Sequence, residues 1–365
     1  MQMLAVNEIV DSKITKVLSL EPESSAELAG LCYVKADSLK ISRQKVGRGF
    51  SYFDHNGDRI SDEQELIRLK EIKVPPAITD VLLCHLPNGH LQATGRDAKR
   101  RKQYYYHPQW REVRSQHKFN RMLLFGASLP TIRATTEKHL AQRKLSKEKV
   151  VAAVIRLLET TLIRIGNDQY AKKNRSFGLT TLRDRHTEIK GSKIKFEFRG
   201  KSGVDHEIEL KDRKLANIIK KCQEIPGYEI FKYYDESGKR QFLDSGDVNQ
   251  YLQDITGQEF TAKDFRTWMG TVIAAIELDE LGGFDSEKQA KKNVAQAIKR
   301  VAKQLGNRPA TCRKYYVHPA IIEAYQEGDL LNLMAQTAAT ESEVNGLNPE
   351  EQVVLNIIKK ALPVD

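Results

Sequence analysis

The sequence predicts an α+β protein in which a small β-rich N-terminal domain precedes a larger, mostly α-helical domain with a small antiparallel sheet. Over residues 1–115, apolar or alternating runs stand between turn signals, which is typical of short strands joined by hairpins. In residues 116–365, apolar side chains recur at helical spacing, except over residues 179–210, where the period returns to two. These two ranges are the predicted domains.

Three segments predict the strands of the N-terminal domain. The stretch GFSYFDHNGDRI alternates aromatic and polar residues and contains the Asn-Gly dipeptide 56–57, a strong hairpin signal. The apolar residues 81–84 predict a strand, and the Pro-Asn-Gly sequence 87–89 predicts a turn after it. For residues 91–106, LQATGRDAKRRKQYYY, we expect a strand, a basic turn and another strand.

Helical periodicity begins near the domain boundary. The segment 110–129 predicts a helix across that boundary, and the segment 131–145 predicts a second helix after Pro130. A third helix is predicted over residues 146–166, SKEKVVAAVIRLLETTLIRIG, with Gly166 as its C-terminal stop.

The remainder of the larger domain starts with a short β segment. The runs TTLR, HTEIK, KIKFEFR and DHEIEL predict the small sheet, and from Lys211 the pattern is helical almost to the end. Ser286 is a predicted N-cap, and Asn348-Pro349 is predicted to cap the final helix. The polar residues 336–348 predict a mobile connection.

The charge balance suits an anionic partner. Lysine and arginine outnumber aspartate and glutamate by 59 to 48, which gives a formal net charge of +11. Nucleic acid is the first candidate and an acidic membrane surface the second, while a solvated basic surface without a partner is the alternative. No apolar run approaches the roughly 18 residues that cross a bilayer, so no membrane insertion is expected.

The four cysteines are far apart and form no C-x-x-C pair. This pattern argues against a zinc site and a disulfide framework, and it fits reduced thiols in the cytoplasm. The first 13 residues lack the basic and apolar regions of a signal peptide. We therefore expect a cytoplasmic protein without a metal site.

A basic and aromatic stretch spans residues 96–121. Its lysines and arginines can neutralise phosphates, and Gln103, Tyr104 and Tyr106 can reach base edges or the DNA backbone. In a strand, Tyr104 and Tyr106 share one face and Tyr105 takes the other. These residues predict DNA contact, with a solvated turn and a packed Tyr105 as the alternative.

Four positions could carry phosphate chemistry. Lys201 lies between two glycines at a predicted hairpin tip, where its ammonium group could donate a proton. Arg164 and Arg266 could hold two oxygens of one phosphate, although either alone is more often a surface or ion-paired arginine. Tyr316 could be a nucleophile if cations assist it, although a tyrosine is more often a packed aromatic residue.

Taken together, these segments resemble the short type IB DNA topoisomerases of poxviruses and bacteria. The resemblance covers nearly the whole chain, and the order and spacing of its motifs match. IRIGN-x-x-Y, GLTTLR-x-RH and KDFRTW are the most specific of them. The motifs that carry the resemblance are GRDAKRRKQYYYHPQW, HKFNRMLLFG, LIRIGNDQYAKKNRSFGLTTLRDRH, FRGKSGVDHEI, TAKDFRTW and RPATCRKYYVHP.

The resemblance implies a set of catalytic residues and a fold. Arg164 and Arg266 match the phosphate clamp, Lys201 matches the general acid, and Tyr316 matches the nucleophile. Asn307 stands where many relatives have histidine, although some bacterial relatives also have asparagine. The implied catalytic fold is the one shared by type IB topoisomerases and tyrosine recombinases, and the implied architecture is a clamp around DNA.

Two further assignments follow from the resemblance. Gln103, Tyr104, Tyr106 and Tyr170 match DNA-contacting positions, and Lys263 is similar to an accessory basic residue. The neighbouring Tyr315 departs from the family pattern, which usually has a small residue there. We favour Tyr316 over it because Val-His-Pro follows directly.

The implied activity is relaxation of positive and negative supercoils in double-stranded DNA by a monomeric bacterial enzyme at the nucleoid. The tyrosine forms a 3′-phosphotyrosyl bond, the helix rotates about the intact strand, and the nick is resealed without a cofactor, ATP or metal. One alternative is a tyrosine recombinase or integrase, which normally has histidine where Lys263 stands. The other alternative is a non-catalytic DNA-binding protein.

Overall fold

The computed structural model describes residues 22–338 and 346–361. Two compact units divide the described chain between Asn120 and Arg121. The domain boundary that the sequence places after residue 115 stays a prediction. The signal-peptide analysis of residues 1–13, and most of the connection predicted over 336–348, lie outside the described residues.

The first unit is built on an antiparallel sheet with strand order β2-β1-β3-β4-β5. One face of this sheet packs on α2 through a core that includes Leu69 and Leu83. The elements in chain order are α1 (Pro22–Leu28), β1 (Ile41–Val46), β2 (Gly49–Phe53), α2 (Glu63–Glu71), β3 (Thr79–Leu83), β4 (Leu91–Arg96) and β5 (Lys102–Tyr106).

The predicted strands β3, β4 and β5 are confirmed. The Asn-Gly turn at 56–57 also forms, but it closes only an isolated bridge between Phe53 and Arg59. The strand β2 pairs instead with β1, which the sequence analysis missed. The sequence of β1, ISRQKV, buries only its first residue fully, so it lacks the alternation that marks a strand.

The second unit is mostly helical, and α3 (Pro108–Leu140) leads into it. None of its described helices, nor any in the first unit, has the length and apolarity to cross a membrane. After α3 come α4 (Lys147–Thr161), α5 (Asp168–Asn174), β6 (Thr187–Lys190), β7 (Lys193–Arg199), β8 (Asp205–Lys211), α6 (Arg213–Gln223), β9 (Lys232–Tyr234), β10 (Arg240–Phe242), α7 (Ser245–Thr256), α8 (Ala262–Leu281), α9 (Glu287–Leu305), α10 (Pro309–Tyr315), α11 (Pro319–Glu327), α12 (Asp329–Ala338) and α13 (Pro349–Lys360).

The prediction of two helices separated at Pro130 is wrong, because α3 continues through that proline. Proline removes one main-chain hydrogen bond and strains the preceding turn. Residues on both sides of it, including Leu129 and Ile132, are buried in the same core. Their burial outweighs the local cost of the proline.

The predicted end of α4 at Gly166 is also wrong. The helix ends at Thr161, and Leu162 adopts the left-handed conformation with φ of 55°. Its N–H still bonds to the carbonyl of Leu158, which closes the last turn. Residues 163–166 therefore leave the helix as an irregular segment, although their apolar spacing continues the helical pattern.

The predicted small antiparallel sheet is present and has the order β6-β7-β8, but the run TTLR is not one of its strands. Leu179–Thr181 forms a turn of 3₁₀ helix. The hairpin of β9 and β10 was missed, because its three-residue strands are too short to show a period. Ser286 and Asn348 cap α9 and α13, which confirms the two predicted helix starts.

A buried ionic cluster ties α13 to the centre of the second unit. Arg133 of α3 bonds both carboxylate oxygens of Glu351 at 2.8 Å and one oxygen of Glu159 at 2.7 Å. Glu351 also accepts from the Trp268 indole at 3.2 Å and is 1% exposed. Burial lowers the pKa of Arg133, but the two carboxylates outweigh it and raise that pKa overall. The cluster connects α3, α4, α8 and α13.

Replacing Glu351 with alanine should lower the free energy of unfolding by about 3–5 kcal/mol, because Arg133 loses its bidentate partner in a buried site. Chemical denaturation measures this loss. Asp329→Ala is the matched control, since it breaks an ion pair with Lys360, whose side chain is 77% exposed. A surface pair contributes under about 1 kcal/mol. Equal effects of the two substitutions would contradict the role of the buried cluster.

A second stabilising feature is the buried His186, which follows the Arg-Asp-Arg sequence before β6. Its Nδ1 accepts the main-chain N–H of Arg183 at 3.1 Å, and its ring packs on Phe177 with centroids 4.5 Å apart. Burial, with help from Arg185 and Arg183, lowers the pKa of His186 to about 4. The folded protein therefore holds this imidazole neutral.

Because the pKa of His186 is lower in the folded than in the unfolded protein, its stabilising contribution is full above about pH 6.5. It is lost as the pH falls toward 4. Between pH 7 and pH 5 we expect this group to lower the free energy of unfolding by about 2 kcal/mol. Denaturation of the wild type and of His186→Gln at both pH values isolates the effect. A stability difference that stays constant with pH would exclude this linkage.

Candidate active site

The guanidinium of Arg266 lies at the centre of the candidate site. Arg266 is on the second turn of α8 and is 4% exposed. Its Nη1 donates to the carbonyl of Leu162, and its Nη2 donates to the carbonyl of Leu305 at 2.6 Å. Both acceptors are main-chain carbonyls at the ends of other helices, α4 and α9. The side chain therefore joins three separate parts of the sequence.

Arg164 lies in the irregular segment after α4. The GLTT sequence holds this segment, because Leu179 N–H bonds to the Arg164 carbonyl at 2.9 Å and Thr180 N–H bonds to the Ile165 carbonyl at 2.7 Å. A Cβ on Gly178 would lie 2.4 Å from the Arg164 carbonyl oxygen, so only glycine fits there. The specific GLTT motif thus fixes the backbone that presents Arg164.

Asn307 follows α9, after Gly306 ends that helix with φ of 57°. Its side-chain oxygen accepts from Arg164 Nη2 at 2.5 Å, and the Gly306 carbonyl accepts from the same nitrogen at 3.3 Å. The amide nitrogen Nδ2 is buried and has no hydrogen-bond partner within the described chain. Asn307 therefore orients Arg164 and keeps a donor free.

Lys201 is exposed at the tip between β7 and β8, where the sequence predicts a hairpin turn. The tip is closed by Gly200 N–H, which bonds to the Val204 carbonyl at 2.7 Å. A narrow pocket joins this tip to the arginines, since Arg164, Lys201 and Arg266 all line it. The convergence that the sequence could not show is therefore present in the structure.

The same pocket is lined by His206, which the sequence analysis missed as a site residue. His206 lies on β8 directly opposite Phe198 of β7, and the two rings stack with centroids 5.1 Å apart. The only sequence signal is its position in the alternating run DHEIEL. That signal marks a face of the sheet and not a site.

Tyr316 and Tyr315 have different environments at the end of α10. Tyr315 is 46% exposed, and Lys314 lies over its ring. Tyr316 is half-buried, and the Arg266 guanidinium lies 5.5 Å from its ring centroid. This difference supports the choice of Tyr316 as the residue of interest.

The position of Tyr316 depends on close contact with α8. The Thr271 hydroxyl accepts from the N–H of His318 at 3.1 Å, and its single proton is shared between the Thr267 carbonyl at 2.9 Å and the Tyr316 carbonyl at 3.3 Å. A Cβ on Gly270 would lie 2.6 Å from the Tyr316 carbonyl oxygen and 3.3 Å from its Cβ. Glycine at 270 therefore allows the backbone at Tyr316 to lie close to α8.

The site is strongly cationic. Burial lowers the pKa of Arg266, and the neighbouring Arg164 lowers it further, while Tyr316 opposes the change. Burial likewise lowers the pKa of Arg164. Both guanidinium groups nevertheless stay charged at neutral pH. Two cations held together in this way are stabilised by an anion between them.

Within the site, two buried donors have no hydrogen-bond partner among the described residues: Nε of Arg266 and Nδ2 of Asn307. Buried donors without partners are rare in folded proteins, because each loses its hydrogen bonds to water. Together with the two guanidinium charges, they form a donor set for an anion with several oxygens, such as a phosphodiester. Among the described residues, no cluster of three histidine, cysteine or acidic side chains could hold a metal.

Three predicted DNA-binding residues lie on β5 of the first unit. Tyr104 and Tyr106 share one face, as predicted, with ring centroids 6.2 Å apart. Tyr105 packs on the core at the other face, which is the packed position named as the alternative to DNA contact. Tyr104 is 47% exposed, and Lys102 lies over its ring. Gln103 bonds to the carboxylate of Asp97 at 3.1 Å.

The other two predicted DNA-binding residues lie in the second unit. Tyr170 is on α5, a short helix whose side chains are largely exposed, and is itself 48% exposed. Lys263 is exposed on the first turn of α8, three residues before Arg266. Both are accessible to a large anionic partner.

Comparisons with known proteins agree across most of the chain. The family described as "Eukaryotic DNA topoisomerase I, catalytic core" matches residues 107–344. The family described as "Bacterial DNA topoisomerase IB, N-terminal domain" matches residues 49–97. The two matches fall on the helical part and on the β-rich part of the sequence.

Individual proteins that are similar to this chain are also named DNA topoisomerases. The DNA topoisomerase 1B of Acanthamoeba polyphaga mimivirus is 30% identical over 293 residues, which cover 78% of this chain and 87% of that protein. The DNA topoisomerase 1B of Vaccinia virus (strain Copenhagen) is 25% identical over 283 residues, which cover 75% of this chain and 86% of that protein. The DNA topoisomerase 1 of Daucus carota is 26% identical over 197 residues, which cover 47% of this chain and 23% of that protein.

Gly270→Ala tests the contact between α8 and Tyr316. Helix propensity alone favours alanine by about 1 kcal/mol, whereas overpacking costs about 1–3 kcal/mol. Because the added Cβ meets backbone, we expect a net decrease of about 1 kcal/mol in the free energy of unfolding. Gly283→Ala is the control, since a Cβ there meets no atom within 4 Å. A more stable Gly270→Ala protein would show that the approach is not tight.

Proposed function

The chain belongs to the type IB DNA topoisomerases, and on that basis we propose that Tyr316 cuts and reseals one strand of duplex DNA. The observation that carries the assignment of residues is a connected set of contacts: Lys201 lines one pocket with both arginines, Asn307 bonds to Arg164, and the Arg266 guanidinium lies over the Tyr316 ring. A phosphodiester between these groups meets two cations, free donors and a hydroxyl nucleophile. The same arrangement has no evident use in a packed core.

In the cleavage step, the Tyr316 oxygen attacks the phosphorus of the scissile phosphodiester. The phenol proton leaves to water, a P–O bond to the tyrosine forms, and the bond between phosphorus and the 5′ oxygen breaks. Lys201 donates a proton to that leaving oxygen, so the products are a 3′-phosphotyrosyl bond and a 5′-hydroxyl end. Lys201 then regains a proton from solvent.

Arg164 and Arg266 act on the phosphate during this step. Negative charge builds on the non-bridging oxygens as the fifth oxygen approaches phosphorus, and the guanidinium groups stabilise it. Asn307 holds Arg164 in place, and its amide nitrogen can donate to a phosphate oxygen. The bound carbonyls of Leu162 and Leu305 keep Arg266 from moving.

Supercoils are relaxed while the covalent intermediate exists. The free 5′ end rotates about the intact strand, which removes supercoils of either sign, and its hydroxyl then attacks the phosphotyrosyl bond. The ester conserves the energy of the broken bond, so resealing needs neither ATP nor a metal ion. We propose that no cofactor takes part.

The proposal extends to the partner surfaces. Gln103, Tyr104 and Tyr106 of the first unit, and Tyr170 and Lys263 of the second, would contact double-stranded DNA. Lysine and arginine contacts to phosphates release counterions, so binding should weaken as salt rises. We further propose that the enzyme acts as a monomer on the bacterial nucleoid in the cytoplasm. Closure of the two units as a clamp stays a prediction.

The alternatives are less well supported. A tyrosine recombinase would share the arginine, lysine and tyrosine set, but Lys263 stands where recombinases carry histidine. Both family matches are to topoisomerases, one for each part of the chain. A non-catalytic DNA-binding protein would not require the converging arginines, lysine and tyrosine.

Tyr316→Phe should abolish plasmid relaxation and the covalent protein–DNA adduct, while DNA affinity stays within about twofold, because only the nucleophilic oxygen is removed. The assay contains EDTA and no ATP. Tyr315→Phe is the matched control and should keep both activities. Retained relaxation by Tyr316→Phe, or loss of relaxation only in Tyr315→Phe, would overturn the assignment of the nucleophile. A need for metal or ATP would contradict the cofactor-free mechanism.

A further inference from the structure

His206 occupies a place that the proposed chemistry does not use. It projects from β8 into the pocket of Arg164 and Arg266, two residues beyond the Val204 carbonyl that closes the Lys201 tip. Its ring stacks on Phe198, with an angle of 14° between the planes. The stack fixes the ring on one side.

Two glycines approach the edges of the same ring. A Cβ on Gly200 would lie 2.6 Å from both Cδ2 and Nε2 of His206. A Cβ on Gly306 would lie 2.8 Å from its Cε1. A real Cβ cannot come this close to another atom. The imidazole therefore lies between two backbone segments that can approach it only because both residues are glycine. The ring fills the space between these segments.

Each of these glycines is next to a residue of the candidate site. Gly200 directly precedes Lys201, and Gly306 directly precedes Asn307. The Gly306 carbonyl also accepts a hydrogen bond from Arg164. The ring of His206 therefore separates the segment that presents the ammonium group from the segment that orients the phosphate clamp, and it contacts both.

We propose that His206 is a positioning residue, whose ring sets the distance between the Lys201 tip and the Gly306–Asn307 turn. In this position the Lys201 ammonium reaches the leaving 5′ oxygen of a phosphodiester held by Arg164. The proposal rests on the general-acid role of Lys201 given above. His206 itself neither gives nor takes a proton in the step.

The electrostatics of the pocket agree with a role for the shape of the ring. Burial lowers the pKa of His206, and the nearby Arg164 and Arg266 lower it further, so the ring is neutral near pH 7. A neutral ring adds no third cation beside the two guanidinium groups. A phenyl ring of similar shape should therefore replace it better than a small side chain.

The leaving group offers a way to test position without relying on activity alone. When the bridging 5′ oxygen of the scissile phosphate is replaced by sulfur, the same P–O bond to tyrosine forms and a P–S bond breaks. The sulfur leaves as a thiolate without help from an acid, because a thiolate, whose conjugate acid has a pKa near 8.5, is a far weaker base than an alkoxide. A fault in proton donation then has no effect on the rate, whereas a fault in phosphate binding or in the nucleophile still does.

The experiment measures single-turnover cleavage of two duplexes, with 5′ oxygen or 5′ sulfur at a mapped cleavage site, by the full-length chain. His206→Ala should cleave the oxygen substrate at least about tenfold more slowly than wild type, and the sulfur substrate at a rate within about threefold. His206→Phe should stay within about threefold on both. Lys201→Ala gives the reference pattern, with a larger loss on oxygen and the same recovery on sulfur.

His139→Ala is the matched control, because His139 is a half-buried histidine of the same unit that bonds to Tyr251 at 2.8 Å, outside the pocket. Its ratio of the two rates should equal that of wild type. The ratio is taken within each protein, so a misfolded fraction does not alter it. The test therefore separates a change in position from a loss of folded enzyme.

Three results would overturn the proposal in distinguishable ways. Equal losses of His206→Ala on both substrates would show that the ring acts on the phosphate or on Tyr316. An unchanged rate on the oxygen substrate would show that the ring has no role in cleavage. If Lys201→Ala itself did not recover on sulfur, the general-acid assignment would fail, and the role of His206 would fail with it.

Discussion

The pairing of the Arg266 guanidinium with two main-chain carbonyls is the interaction on which the rest of the pocket depends. A side chain that is 4% exposed cannot keep its charge without close acceptors. Carbonyl oxygens supply hydrogen bonds without a formal charge, so the cation is fixed in place and not neutralised. The acceptors, Leu162 and Leu305, precede Arg164 and Asn307 by two residues each. One buried side chain thus positions two others and keeps its own charge available for the substrate.

The same pairing explains why the end of α4 could not be predicted from the sequence. Apolar residues continue at helical spacing through Ile165, and nothing local stops the helix before Gly166. The structure ends it at Thr161, because the Leu162 carbonyl bonds to Arg266 and the next residues bond to the GLTT sequence. These partners are distant in sequence. Propensity and periodicity describe neighbours along the chain. They therefore predict strands such as β4 and β5 well, but they predict poorly where a helix ends when distant residues determine that end.

For the candidate site, the sequence supplied residue types and order but not their arrangement. The residue types suggested phosphate chemistry at Arg164, Lys201, Arg266 and Tyr316, and the resemblance added Asn307. Only the structure shows the pocket that Lys201 shares with both arginines, the bond from Arg164 to Asn307, and the contact of Arg266 with the Tyr316 ring. The structure also distinguishes the two adjacent tyrosines, because the Arg266 guanidinium lies over the Tyr316 ring whereas Tyr315 is 46% exposed. His206 had no such signal, because its role depends on two glycines more than 100 residues apart. A residue that acts by filling space has no characteristic sequence pattern by which it could be predicted.

The ionic cluster of Arg133, Glu159 and Glu351 has a consequence for how this enzyme can be shortened. Glu351 belongs to the last described helix, which contributes no residue to the pocket and could be mistaken for a dispensable tail. Yet its carboxylate is the bidentate partner of Arg133 and accepts the indole N–H of Trp268, two residues after Arg266. A fragment cut before Pro349 would keep every proposed catalytic side chain and still remove support from the helix that holds Arg266. We therefore expect the smallest working enzyme to extend well beyond Tyr316.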